Sequence, residues 1–252
     1  MQTMEPLETV RHLAALRREG ELFTAAIAVT AADAPVPTCP EWTLAELVRH
    51  TGTVHRWATA YLVHGHQGPV APEGRPPTAD AALLEWFREG HAGLVAALEQ
   101  APADLACWTF LDAPSPLAFW ARRQAHETTI HRVDAESAAG LPVTPVDTAF
   151  AADGIAELTA GLLARPAFEL RSETERTLLI RPTDGPTPWL VRIGPGPLQV
   201  TRESAEADLE LTGTANELYL LLWNRLAEGA VKVTGDQSLL ALWRESAQIR
   251  WR

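Results

Sequence analysis

The segment His126-Glu127-Thr-Thr-Ile-His131 places an imidazole four residues after a carboxylate. On a helix, side chains at that spacing share a face. They can hold a common ion, or they can form an ordinary ion pair lying on solvent. Leu117, Trp120 and Gln124 precede them on the same stripe, so the face is expected to point into a core, where a buried carboxylate needs a partner. His50 offers a third donor because it lies between Leu47 and Val54 on the inward stripe of an earlier helix, with His55 rotated well away from it. Two imidazoles and one carboxylate leave a divalent zinc one open position, the arrangement of catalytic rather than structural sites; a core histidine bonded to a carbonyl is the plainer alternative for each ring. His126 is about 100° around the helix from Glu127 and reads as a neighbour. Asp134, one turn past His131, stands either to orient that imidazole or as a solvated helix charge. His12, His64, His66 and His91 read as surface residues.

The elements that must position these groups are visible in the hydrophobic spacing. From Glu5 to about Thr30, Leu7, Val10, Ala14, Phe23 and Ile27 form one buried face of a helix, which Pro35, Pro37 and Pro40 terminate. Thr43-Leu-Ala-Glu46 is a capping box opening a second helix to about Val63, and the Gly- and Pro-rich segment 65–77 is a surface loop. A third helix is predicted over 78–100 and a fourth from Ser115 and Pro116 to before Gly140. Four amphipathic helices of this kind make a bundle. After Pro142 and Pro145 the texture changes. One helix is predicted over 147–163, then strands at 177–180, 189–193, 198–201 and 209–211, joined by turn chemistry that suits an antiparallel sheet. A second capping box, Thr214-Ala-Asn-Glu217, opens a helix to about Glu228, with a strand at 231–234 and a last helix at 238–248. The expected organisation is therefore a metal-binding four-helix bundle over 1–142 and an α+β domain over 143–252.

Composition narrows the function classes. The 252 residues carry 21 Lys and Arg against 32 Asp and Glu, a net charge of −11, which opposes binding to nucleic acid or an anionic membrane surface. There is no run of 18 apolar residues, and acids stand in 1–8 where a signal peptide would be basic, so the expected location is cytoplasmic. Cys39 and Cys107 are too few for a disulfide framework and are expected to be thiols. No Ser-His-Asp order, Walker loop or dinucleotide glycine pattern is present.

The stretch Val36-Pro-Thr-Cys-Pro-Glu-Trp-Thr-Leu-Ala-Glu-Leu-Val-Arg-His50 with His55-Arg-Trp57, together with Ala125-His-Glu-Thr-Thr-Ile-His-Arg-Val-Asp-Ala-Glu136, resembles the N-terminal domain of the mycothiol-dependent maleylpyruvate isomerase family, a branch of the DinB-like metalloenzymes. Ala207-Asp-Leu-Glu-Leu-Thr-Gly213 and Leu221-Leu-Trp-Asn-Arg225 resemble its C-terminal domain, a small unit similar to sterol-carrier folds. The resemblance implies zinc, or another divalent metal, on His50, Glu127 and His131, with mycothiol as the thiol cofactor. It also implies a small electrophilic substrate, acted on as a cis-trans isomerase or a thiol S-transferase.

Leu218, Leu222 and Arg225, at i, i+4 and i+7, put a cation on an apolar stripe, either to hold an anion or to sit at a helix end. The resemblance assigns Arg225 to the active site, on a substrate or thiol carboxylate, and so implies a cleft between the two domains. The rival reading is an apolar-ligand module lined by Trp189 and Trp223, with a vestigial metal site.

Overall fold

In the computed structural model, which describes residues 8–185 and 187–249, the chain divides into two compact units, Glu8–Thr144 and a second that begins at Pro145. The first unit contains α1 (Thr9–Ala28), α2 (Leu44–His64), α3 (Leu83–Gln100) and α4 (Pro116–Ala138), the helical bundle expected; the part of the α1 expectation before Glu8 lies outside the described residues. The helix starts follow local chemistry. The Thr43 hydroxyl accepts from the Glu46 amide while Glu46 Oε2 accepts from the Thr43 amide at 2.7 Å, completing the capping box. Ser115 Oγ accepts from the Ala118 amide at 3.1 Å, with Pro116 in the first turn of α4. Helix α3 begins later than position 78, after a 3₁₀ turn at Asp80–Ala82. Arg49 of α2 grips this approach, donating to the Pro77 carbonyl at 3.1 Å and to Asp80 Oδ1 at 2.6 Å.

Leu16, Phe23, Leu47, Phe87 and Trp120 are fully buried, and Phe23 meets Phe87 edge to face at 4.7 Å between ring centres. Helix α4 is buried on every side between Arg123 and Glu136, although much of that stretch is polar or charged. Its neighbour α1 answers in kind, which corrects two sequence expectations. The buried face of α1 is His12, Leu16, Glu19, Gly20, Phe23 and Ala26, whereas Val10 is 63% exposed. His12 is only 2% exposed, not a surface residue, and its ring lies 6.0 Å from that of His126. Glu19 Oε2 accepts from Arg132 Nε at 2.7 Å, and Arg132 Nη1 donates to Glu136 Oε2 and to the Thr144 carbonyl, each at 2.7 Å. Glu136 in turn accepts from the Thr144 amide and hydroxyl, which ties the chain to the bundle as far as the boundary between the units.

The second unit opens with α5 (Thr148–Ala156), capped by Asp147 and continued by a π-helical turn, Glu157–Leu162. Its sheet is built of β1 (Arg176–Pro182), β2 (Trp189–Ile193), β3 (Gln199–Arg202), β4 (Leu209–Gly213) and β5 (Lys232–Gly235) in the order β3-β2-β1-β4-β5, with α6 (Ala215–Leu222) and α7 (Ser238–Ser246) completing an α+β unit. The sheet is mixed, not antiparallel throughout, because β4 pairs parallel to β1. The stretch 203–208 is a return across the sheet and not a hairpin. Asp208 Oδ2 accepts from the amide and hydroxyl of Thr177 at 2.7 and 2.9 Å, bringing the starts of β1 and β4 level.

Helix α6 is shorter than expected and stops at Leu222 in a Schellman turn. Asn224 takes φ 60°, its amide donates to the Leu221 carbonyl at 2.9 Å, and the Arg225 amide donates to Leu220 at 2.7 Å. No helix among the described residues is long and apolar enough to cross a membrane.

His55 of α2 is fully buried and shares a hydrogen bond of 2.9 Å with Thr128 of α4 through Nε2, while its Nδ1 meets no partner in the structure. Beside it, His91 of α3, half-buried rather than a surface residue, reaches the Leu16 carbonyl of α1 at 3.0 Å. Burial, reinforced by His91, pushes the His55 ring well below the ordinary value of 6.5. Above that pH the ring is neutral in the folded and unfolded chains alike. Below it the unfolded chain binds a proton that the folded chain refuses, so stability falls as pH falls, by up to about 1.4 kcal/mol per pH unit. Urea unfolding at pH 7.5 and 5.5 should therefore show His55→Gln losing about 1 kcal/mol less than the parent between the two conditions. Equal losses would show that the ring is not held neutral by its surroundings.

Candidate metal centre

Two helices and one loop assemble the site. Helix α4 projects Glu127 and His131 from successive turns, α2 brings His50 against them, and the loop between α1 and α2 closes one flank. That loop is shaped by its own backbone. Pro35 bridges Thr43, the Val36 amide donates to the Trp42 carbonyl at 3.0 Å, and the Trp42 amide donates to Cys39 at 2.8 Å. The result sets the Trp42 indole 4.9 Å from the His50 ring and delivers Thr38 and Cys39 to Asp134.

The three residues singled out in the bundle converge. His50 Nε2 lies 3.3 Å and His131 Nε2 3.2 Å from the same oxygen, Glu127 Oε1, and the donor atoms of all three fall within 4.8 Å of one another. A tetrahedral ion with bonds of about 2.0–2.2 Å spans ligand separations of roughly 3.3–3.6 Å, so these two edges are close to what such an ion requires. The donor set, two imidazole nitrogens and one carboxylate oxygen, also suits zinc. The residues present fit a divalent cation.

The surroundings fix each donor. Asp134 is fully buried, and its Oδ2 stands 2.9 Å from His131 Nδ1, so this aspartate faces the imidazole and not solvent. Its other oxygen accepts from Thr38 Oγ1 at 2.5 Å, and Cys39 Sγ approaches Oδ2 at 3.7 Å. Glu127 Oε2 accepts from Arg123 Nη2 at 3.1 Å, one turn earlier on α4. Burial opposes charge on both central groups, but the partners prevail. Hydrogen bonds from His131 and His50, with the Arg123 charge, hold the Glu127 carboxyl well below the usual carboxylate range. The His131 ring is raised to about 9 by Asp134 and then Glu127. The site thus favours positive charge between Glu127 and Asp134.

Sequence reasoning named the three donors and weighed Asp134, but it missed Arg123, Thr38 and Trp42. Reading the i, i+4 rule backwards from Glu127 would have found Arg123. Thr38 and Trp42 are brought in by long-range packing that spacing does not reveal. Arg225 belongs to the second unit. It lies past the end of α6 and not on its apolar stripe, it is half-buried, and its Nη1 donates to the Trp223 carbonyl at 2.8 Å.

Residues 13–136 match the family described as mycothiol maleylpyruvate isomerase N-terminal domain, and residues 149–242 match the MDMPI C-terminal domain. No curated protein matches the chain. Two crystal structures of a mycothiol-dependent maleylpyruvate isomerase share its fold. One, a histidine-to-alanine mutant, superposes with a TM-score of 0.64 at 15% identity, over 93% of this chain and 96% of that one. The other gives a TM-score of 0.63 at 16% identity, with the same coverage of each chain. Carrying both domains of that family in order, the chain belongs to the mycothiol-dependent maleylpyruvate isomerase family of enzymes.

Proposed function

We propose that this protein is a metal-dependent enzyme that uses a low-molecular-weight thiol, mycothiol, to act on a small electrophile, as a cis-trans isomerase of the maleylpyruvate type. The observation that carries the reading is the aim of two imidazole Nε2 atoms at one carboxylate oxygen in a chain of this family. A thiol S-transferase would share the same first step. The apolar-ligand alternative finds less support, since Trp189 and Trp223 are only 1% and 7% exposed and the Arg202 guanidinium stacks on Trp189 at 3.7 Å.

His50, Glu127 and His131 would hold the ion, zinc by the nature of the donors. Bound together there, a divalent cation would favour the thiolate form of a thiol, and a thiolate supplies the nucleophile whose reversible addition to a carbon–carbon double bond permits rotation. The chain's own residues do the rest. Asp134 accepts a hydrogen bond from His131 Nδ1, a partnership that would leave Nε2 free to give its lone pair to an ion. Thr38 holds Asp134 in that pose from its other oxygen. Trp42 packs against the His50 ring on that flank. Arg225, assigned by the family resemblance, would bind a substrate or thiol carboxylate in a bidentate bond.

Three outcomes are expected. Protein purified without chelator should carry about one equivalent of divalent metal, and Glu127→Ala should lose both metal and turnover, because a dication then keeps two neutral imidazoles and no anionic ligand. Elemental analysis beside an assay with mycothiol and maleylpyruvate reads both. Asp134→Asn should keep the fold but bind zinc about 10–100-fold more weakly in a chelator competition; unchanged affinity would reduce Asp134 to a packing residue. Arg225→Ala should keep its zinc and lose on the order of a hundredfold in rate through misplacement of the substrate. Full activity in that variant would leave Arg225 an ordinary helix-end arginine.

A further inference from the structure

We propose that Arg123 is a positioning residue that confines Glu127 to a single ligating oxygen and so keeps a coordination position open for the thiol. The inference rests on the reading of His50, Glu127 and His131 as metal ligands. A carboxylate beside a cation can turn to offer one oxygen or both, and two oxygens from Glu127 would fill the place a thiol needs. In this structure the two oxygens have separate occupations. Oε1 faces both imidazoles, at 3.3 and 3.2 Å, whereas Oε2 receives Arg123 Nη2 at 3.1 Å.

Both partners are out of water, with side chains 2% and 5% exposed, so solvent does not compete for that bond as it would on the surface. They sit four residues apart on one helix, and the backbone of α4 therefore sets their relation without help from a loop. Rotation of the carboxylate to bind an ion through both oxygens would take Oε2 from a buried guanidinium that is drawn to it by charge. The same bond draws electron density from the carboxylate. A metal ligated by Oε1 alone is then a stronger acceptor for a sulfur ligand than one chelated by the whole group.

Cobalt(II) replacing zinc in the full-length protein tests this, because its visible absorption is strong when four-coordinate and weakens when a fifth ligand binds. Wild type should give the four-coordinate spectrum, and 2-mercaptoethanol should add a sulfur-to-cobalt charge-transfer band. Arg123→Met should show the weaker spectrum and need at least tenfold more thiol for the same band. Arg123→Lys, which restores one donor at the i, i+4 spacing, should recover the wild-type spectrum. A folded Arg123→Met protein with an unchanged spectrum and thiol titration overturns the proposal. Should that variant fail to fold, X-ray absorption on the wild-type zinc protein decides: one carboxylate oxygen in the coordination shell supports the assignment and two overturn it. A wild-type chain that takes up no stoichiometric cobalt defeats the metal reading itself, and the role of Arg123 falls with it. That result is distinguishable from failure of Arg123 alone, in which cobalt binds normally and only the variant's spectrum stays unchanged.

Discussion

A carboxylate buried in the middle of a helical bundle must be answered by positive charge or donated hydrogen bonds, and Glu127 is answered on both oxygens. Much else in the bundle follows from that demand. The two imidazoles can reach Oε1 only if α2 lies against α4 at the level of His50. The buried Asp134 carboxylate then finds its partners in His131, Thr38 and Cys39. Each polar group on α4 requires another on a neighbouring element, so a charged centre spreads its constraints outward through the core.

The same logic explains why α1 turns a different face inward from the one its apolar residues suggest. A helix packed against Leu and Val would have buried Val10 and Ala14. Packed against α4, whose inner surface is polar, it buries His12 and Glu19, and Glu19 meets the Arg132 guanidinium at 2.7 Å. Hydrophobic periodicity identifies the inward side of a helix only when the surface it meets is apolar. Here the partner is the helix that carries Glu127 and His131.

Legibility in the sequence therefore depends on how local the determining interaction is. Capping boxes at Thr43 and Thr214 are made within four residues, and both form as read. Glu127 and His131 are related by helix geometry, and His50 by a stripe on its own helix, so spacing allows the three to meet and the family resemblance selects that reading over its alternatives. The parallel pairing of β1 with β4 is not legible, because it joins residues about 31 positions apart, such as Leu178 and Leu209, whose meeting no local signal announces. The end of α6 is locally encoded but easily misread: Asn224 tolerates the left-handed turn that stops the helix, whereas the apolar spacing of Leu218, Leu222 and Arg225 suggests continuation.

A division of labour follows between helix and loop. His131, Glu127 and Arg123 are spaced along α4, so their mutual geometry is as rigid as the helix and insensitive to change elsewhere. Trp42, Thr38 and Cys39 come from a proline-rich loop whose shape depends on a few backbone hydrogen bonds, and they meet the site at Asp134, His50 and His131. Spacing set within a helix can persist while loops diverge, and the fold itself is shared with a structure at 15% identity. The rigid part of the candidate site is therefore the set of buried polar groups on α4, and its loop-borne part is Thr38, Cys39 and Trp42.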